Sequence, residues 1–344
     1  MPLDEPQRPS PVTNTTRTEP PPQEPRSTGT YPPAAPHASG SYAPAAPRLS
    51  GVYGRVTMAV SIGQTIAVRI DHLAEEIISD PKALRRTLPD VAAEVIELCG
   101  RSNASADTME RTLTRDPFIS AQVVSVANSA MFAPRMPILS VRDAVVRIGL
   151  DAVRDVVMMV VANSTMFRVP GLAPEVEAMR KRMLASASVA RLLARALGAE
   201  SEYGFLAGLL HDIGTLVLLE RAVHEGIVTP AIWAAPEGDL VRERIHAHHT
   251  AAGGAICRSW KLPSGVVDAA LFHHDYRSGG KTHLAAHLVA AADVAAQYIL
   301  PDAPPPGILL SEQPVLIELG LAPGVIENLV ERARPAALAL ISAR

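Results

Sequence analysis

From about Val56 onward, apolar residues recur at spacings of three and four with little strand-like alternation, a period that restricts the chain to packed helices. Only Val56, Met58, Val60 and Ile62 leave helix and strand both open. Helix starts are marked by capping residues: Asp90 before Val91 and Val95, Ser105 before Met109 and Leu113, Asp116-Pro117 before Ile119 and Val123, and Ser140 before Val141 to Leu150. Asp151 opens the strongly apolar stretch from Val153 to Ala162. After a looser segment around Pro170-Gly171 and Pro174, helices are expected over 176–197, 203–223, 240–260, 264–273 and 283–299. A proline-rich break at 301–307 precedes two final helices. Short polar connections between such segments imply antiparallel neighbours, so the expected fold is all-α and multi-helix.

Residues 1–55 differ in kind. They are rich in Pro, Ala, Ser, Thr and Gly and almost lack large aliphatics, so they cannot bury enough apolar surface to offset the entropy of ordering. A disordered tail is expected there. Within it Gly29-Thr30-Tyr31, Gly40-Ser41-Tyr42 and Gly51-Val52-Tyr53 recur at an 11-residue spacing on proline-stiffened spacers. This is either a low-complexity leader or a multivalent docking tail. The remainder divides into an N-terminal helical part at 56–175, a second part at 176–300 that carries the candidate site, and an extension at 301–344.

Composition excludes several classes. The longest uninterrupted apolar run, Val156 to Ala162, is far shorter than a membrane span of roughly 18 residues, and the N-terminal segment has no apolar core of a secretory signal. Cys99 and Cys257, the only cysteines, fit free thiols in a reducing cytoplasm better than a disulfide framework. The formal net charge of −3 gives no global attraction to nucleic acid. Arg142, Arg147 and Arg154 could share a local stripe, yet no aromatic residues are interleaved with them, and nucleic acid is not expected as the partner.

Chemistry concentrates in the second part. Seven of the 11 histidines fall between His246 and His287. A lone histidine on an apolar helix is ordinarily a satisfied core residue, and His246, His248, His283 and His287 are read that way. The ordered set His211-Asp212, His249, His273-His274 and Asp293 is different. Asp212 is flanked by Leu209, Leu210 and Ile213, and Asp293 lies within Ala290-Ala291-Ala292 and Val294-Ala295-Ala296. A carboxylate placed there is destabilising by several kcal/mol unless it is paired, hydrogen-bonded or metal-bound. An adjacent His-Asp pair on a helix projects its side chains about 100° apart, so a metal beside the helix can take a nitrogen and an oxygen from it.

Several further segments join this set. Asp116-Pro117-Phe118-Ile119-Ser120, Val126-Ala127-Asn128-Ser129, Ile138-Leu139-Ser140-Val141-Arg142, Leu209-Leu210-His211-Asp212-Ile213-Gly214, His249 with Gly253, Trp260-Lys261-Leu262-Pro263 and His273-His274 together resemble the HDOD group, the HD-related output domain, within the HD superfamily of metal-dependent phosphohydrolases. The likeness covers roughly residues 85–300. It implies an HD-like helical fold and a first metal held by a histidine on the preceding helix together with His211, Asp212 and Asp293. The matching first position is Ala185, and no histidine lies between His72 and His211. His249, His273 and His274 resemble the additional ligands of a binuclear subgroup that hydrolyses cyclic dinucleotides. That subgroup carries Gly-Tyr-Pro after its paired histidines, whereas this chain reads His274-Asp275-Tyr276-Arg277-Ser278-Gly279-Gly280.

Two outcomes stay open at this stage. His211, Asp212, His249, His273, His274 and Asp293 hold iron, manganese or zinc and activate a water on a phosphoester, or they form a hydrogen-bonded network without turnover. The resemblance implies a bacterial signal-transduction protein, cytoplasmic and non-catalytic, acting through a signalling partner or a nucleotide; the rival is a phosphohydrolase acting on a nucleotide or cyclic dinucleotide. No receiver, kinase or cyclase domain is expected, since no alternating strand and helix pattern is present. Phosphate recognition needs Arg or Lys, and Arg180, Lys181, Arg182, Arg277 and Lys281 are the candidates. Asn128-Ser129 is read as satisfying helix-end backbone, Trp260 as a packing anchor, and Met158, Met159, Met179 and Met183 as core fillers.

Overall fold

The computed structural model describes residues 50–80, 88–129, 132, 136–163, 169–198, 203–300 and 307–342, with side chains from residue 63 on. All regular elements among the described residues are helices, as the periodicity predicts. The tail at 1–49 lies outside the described residues. Helix α1 spans Ser50–Ser79, so the ambiguous stretch from Val56 to Ile62 is helical and the last residues assigned to the tail belong to this helix.

Five short helices follow: α2 (Asp90–Cys99), α3 (Ala106–Leu113), α4 (Pro117–Ala127), α5 (Val141–Ile148) and α6 (Leu150–Asn163). Three of the expected caps form. Ser105 accepts from the Thr108 N–H, Asp116 from the N–H groups of Phe118 and Ile119, and Ser140 from the Asp143 N–H. Asp90 and Asp151 instead sit inside the first turn of their helices, where a carboxylate favours the positive end of the helix dipole. The Asn128 side chain clamps the chain beyond α4 by donating to the carbonyls of Val124 and Ile138 and accepting from the Ile138 N–H. These five helices pack mainly on one another.

The second group comprises α7 (Ala173–Leu197), α8 (Gly204–Leu210), α9 (Ile213–His224), α10 (Pro230–Ala234), α11 (Glu237–Ser259), α12 (Ser264–Phe272) and α13 (Leu284–Ala296). Helix α7 runs through its centre against α8 and α13, and α11 packs on α9 and α12. Two end helices, α14 (Pro314–Ile317) and α15 (Pro323–Ser342), complete the chain, with α15 laid along α7. Although α1 precedes the first group in sequence, it packs on α11 and α9 of the second. Asp71 on α1 accepts from Arg244 at 2.6 Å and from His248 Nε2 at 2.8 Å, which fixes that docking. Trp260 is buried at the end of α11, as an anchor should be. Among the described residues no helix is long and apolar enough to cross a membrane.

Two glycines let the site's helices approach closely. A Cβ on Gly208 would come within 2.8 Å of Ala187 Cα on α7, and one on Gly214 within 2.0 Å of the His249 carbonyl on α11. Both distances are below any real contact, so the α7–α8 and α9–α11 crossings exist only with glycine at these positions.

Candidate metal centre and cleft

The helix expected over 203–223 is interrupted at the residues of greatest interest. His211 ends α8, and Asp212 stands as the N-cap of α9. The junction aims both side chains into one space, where His249 of α11, His273 and His274 just after α12, and Asp293 of α13 also arrive. His211 and His249 are almost fully buried, and His273 nearly so.

Asp212 divides the centre into two poles. Its Oδ1 lies 3.4 Å from His249 Nε2 and 3.5 Å from His273 Nε2. His249 Nε2 is in turn 3.3 Å from His273 Nε2 and 3.1 Å from His274 Nε2. A tetrahedron of ligands at zinc-like bond lengths has edges of about 3.4 Å, so the triangle of Asp212, His249 and His273 suits one small cation, while His274 also groups with His249 and His246, and His273 with His211 and Asp212. Ring orientation agrees. His249 Nδ1 donates to the His246 carbonyl at 2.5 Å and His273 Nδ1 to the Ala269 carbonyl at 3.0 Å. A carbonyl only accepts, so each Nδ1 carries the hydrogen and each Nε2 is left with a lone pair facing the other. Facing lone pairs repel unless a cation or a shared proton lies between them. Burial disfavours the proton, pushing His249 and His274 down to about 4, with neighbouring histidines adding to the effect.

The other pole is built from His211, Asp212 and Asp293. His211 Nδ1 donates to the Gly208 carbonyl at 2.9 Å, and its Nε2 lies 3.4 Å from Asp212 Oδ2 and 3.6 Å from Asp293 Oδ1. This Nε2 is buried and makes no hydrogen bond. Burial works against a charge on His211, yet Asp212 and Asp293 outweigh it and push the group up to about 9. Against the opposing effect of burial, His211 with His273 and His249 holds the Asp212 carboxyl well below the usual range, and Arg182 with His211 does the same for Asp293. Asp293 has further partners: Arg182 donates from Nε to Oδ1 at 2.7 Å and from its terminal nitrogen to Oδ2, and Ser186 Oγ donates to Oδ1 at 3.1 Å. Ala185, between them on α7, is buried and offers no ligand.

A solvent-open cleft of about 520 Å³ lies over this centre, with Asp212, Asp293, His246 and His274 on its floor. Arg182, Arg242 and Trp233 are on its walls, with Arg242 stacked over the Trp233 ring at 4.9 Å. Arg182 is thus the member of the Arg180–Arg182 run that faces the cleft. Arg180 turns the other way to Glu177 and the Ile341 carbonyl, Arg277 pairs with Glu318, and neither they nor Lys181 or Lys281 line the cleft. Arg242 and Trp233 carried no signal in sequence beyond an arginine in the last third of the chain and a tryptophan in a short apolar stretch between two prolines. His246 departs from its core-residue reading: its ligand nitrogen lies within 4.8 Å of those of His249 and His274. The other three histidines between 246 and 287 are structural. His248 is held by Asp71, His283 by Asp268 and stacking on Phe272, and His287 by the Val315 carbonyl and stacking on Tyr276. Met179 and Met183 line the cleft as well as filling space. The arginine stripe considered for nucleic acid does not form, because Arg154 is buried between Asp151 and Asp155 and Arg142 is paired with Asp107.

With this centre in place, residues 86–276 match the HDOD domain family over more than half of the chain. The chain belongs to the HDOD family. A curated relative, an uncharacterized protein of Treponema pallidum (strain Nichols), is 22% identical over 224 residues, 64% of this chain and 41% of that protein. The chain therefore spans less than half the length of that relative. A Shewanella amazonensis SB2B protein, provisionally named a metal-dependent phosphohydrolase, superposes with a TM-score of 0.58 at 23% identity, covering 80% of this chain and 99% of that one. A Marinobacter aquaeolei VT8 protein, provisionally named a signal transduction protein, gives 0.56 at 24% identity, covering 74% and 59%. At these identities the two structures bear on the fold. The grouped His and Asp side chains of this HDOD chain could hold a metal ion.

Proposed function

We propose that this HDOD protein is a cytoplasmic bacterial regulator that binds a phosphate-bearing nucleotide in the cleft over its His-Asp centre and passes that occupancy to a signalling partner without turnover. The cleft itself carries the reading: two guanidinium groups line it beside the metal-ligand side chains, Arg182 paired with Asp293 and Arg242 with the exposed Asp239, and a phosphate would share or displace those partners, while Trp233, Met179, Met183, Leu219 and Ile245 offer apolar contact for a base. Arginine suits phosphate because its planar fork makes paired charge-assisted hydrogen bonds. Asp212, His249, His273 and His274 are the residues that would hold iron, manganese or zinc, imidazole and carboxylate being suited to these ions. When bound, such an ion polarises a phosphate oxygen and acidifies a coordinated water. The chain's own groups favour holding over hydrolysis: Asp293, a carboxylate that could otherwise ligate or orient a water, has both oxygens engaged by Arg182.

The test is calorimetric titration of the full chain with nucleoside mono-, di- and triphosphates and cyclic dinucleotides, with chromatography of the ligand after incubation with Mn²⁺. One nucleotide should bind and be recovered intact, and Arg242→Ala should weaken it about tenfold, the equivalent of one charge-assisted hydrogen bond. Absence of binding at millimolar ligand would remove the nucleotide from the proposal. Recovery of a cleaved product would establish the second reading, a phosphohydrolase, which the convergence of Asp212 with three histidines favours.

A further inference from the structure

The two poles that share Asp212 are filled differently. At one, the Nε2 lone pairs of His249 and His273 face each other across 3.3 Å, with an Asp212 oxygen and His274 Nε2 beside them. At the other, a positive group already stands among the ligands. Arg182 reaches from α7 to grip both oxygens of Asp293, and Ser186, one turn further along the same helix face, donates to Oδ1. Arg182 has no other ion-pair partner among the described residues, and it lines the cleft beside Met179 and Met183 of the same helix. A carboxylate bound in this two-pronged way offers a cation little, because the guanidinium takes two of its roughly four lone-pair sites and Ser186 takes a third. Both poles hold a carboxylate that must be neutralised, and α7 supplies one of the two neutralising charges covalently.

We infer that Arg182 is a resident cation that replaces a metal ion beside Asp293, so that the centre admits a divalent ion only on the side of Asp212 and the histidines, away from Asp293. The second half of this statement rests on the metal binding proposed above; the first does not. Arg182 is then a positioning residue for Asp293 and, through Asp212, for the other pole.

The experiment counts metal in variants of the full chain. Protein stripped of metal, reloaded with excess Mn²⁺ and desalted is measured by mass spectrometry, with folding followed by circular dichroism. Arg182→Ala should bind one equivalent more than the parent chain, since His211, Asp212 and Asp293 become a free three-ligand set, whereas Arg182→Lys should bind no more than the parent. A parent count of one with two in Arg182→Ala supports both readings. A parent count of zero with one in Arg182→Ala supports the resident cation and removes the metal from the histidine pole. Equal counts in parent and Arg182→Ala, whatever their value, overturn the inference, as does a parent count of two. Asp293→Asn in the parent background gives an answer that does not depend on how Arg182→Ala folds: its metal content should be unchanged, and loss of an equivalent would show that Asp293 is a ligand while Arg182 is present.

Discussion

At the residue scale, burial decides which charges survive, and Asp155 gives the sharpest test. It lies in the first helical group, only 14% exposed, with Arg154 donating to it at 3.1 Å. Burial raises its carboxyl to about 7 even though Arg154 and Arg191 act in the opposite direction. A carboxyl raised on folding binds its proton more tightly in the native state, so its contribution to stability is complete below the unfolded value near 3.8 and is lost as pH rises through 7. At about 1.4 kcal/mol per unit, the total change is on the order of 4 kcal/mol. Denaturant unfolding of the parent and Asp155→Asn should therefore give a stability difference that moves against the parent between pH 4 and pH 8. A difference that is flat with pH would mean that Arg154 keeps Asp155 ionised throughout.

At the element scale, the centre depends on two helices meeting at Gly214. Because a Cβ there would lie 2.0 Å from the His249 carbonyl and 2.7 Å from the Gly253 nitrogen, Gly214→Ala must separate α9 from α11. Overpacking of this kind exceeds the usual range, and a loss of at least about 3 kcal/mol is expected. The same separation carries His249 away from Asp212, so the variant should lose bound metal even where it stays folded. Unaltered stability in urea unfolding would show that the crossing is looser than its geometry. Much of this scale was legible in the sequence where the cause is local: Ser105, Asp116 and Ser140 cap their helices because a side-chain oxygen need only reach its own next turn. The break between α8 and α9 was not legible, since Leu210 and Ile213 continue an apolar helical pattern across it. Nor was the choice of Arg182 over Arg180 and Lys181. The run from Met183 to Ala190 is buried all round, so no polar stripe reveals which face of α7 meets Asp293. The docking of α1 through Asp71 joins positions over 170 residues apart, and no local pattern could announce it.

At the scale of the whole molecule, the six candidate ligands are a statement about architecture. They come from the α8–α9 junction, α11, the end of α12, and α13, of which α8 and α13 pack on α7. Asp212 and Asp293 stand out in the sequence because a carboxylate among apolar residues persists only with partners, and the histidines because of the resemblance; the structure brings all six side chains to one space. An ion held by Asp212, His249, His273 and His274 would fasten three of these elements together, and it would bind the native chain in preference to the unfolded one. Free metal at about a thousand times its dissociation constant then adds about 4 kcal/mol, which for a chain of this size corresponds to roughly 8 °C in melting temperature. Dialysis against a chelator should lower the melting temperature of the parent by that order, and readdition of Mn²⁺ or Zn²⁺ should restore it. His249→Ala should melt at the same temperature with and without metal. A parent whose melting temperature ignores the chelator would mean that shared protons, and not a metal, hold these imidazoles together, and the cleft would then recognise its ligand through Arg182 and Arg242 alone.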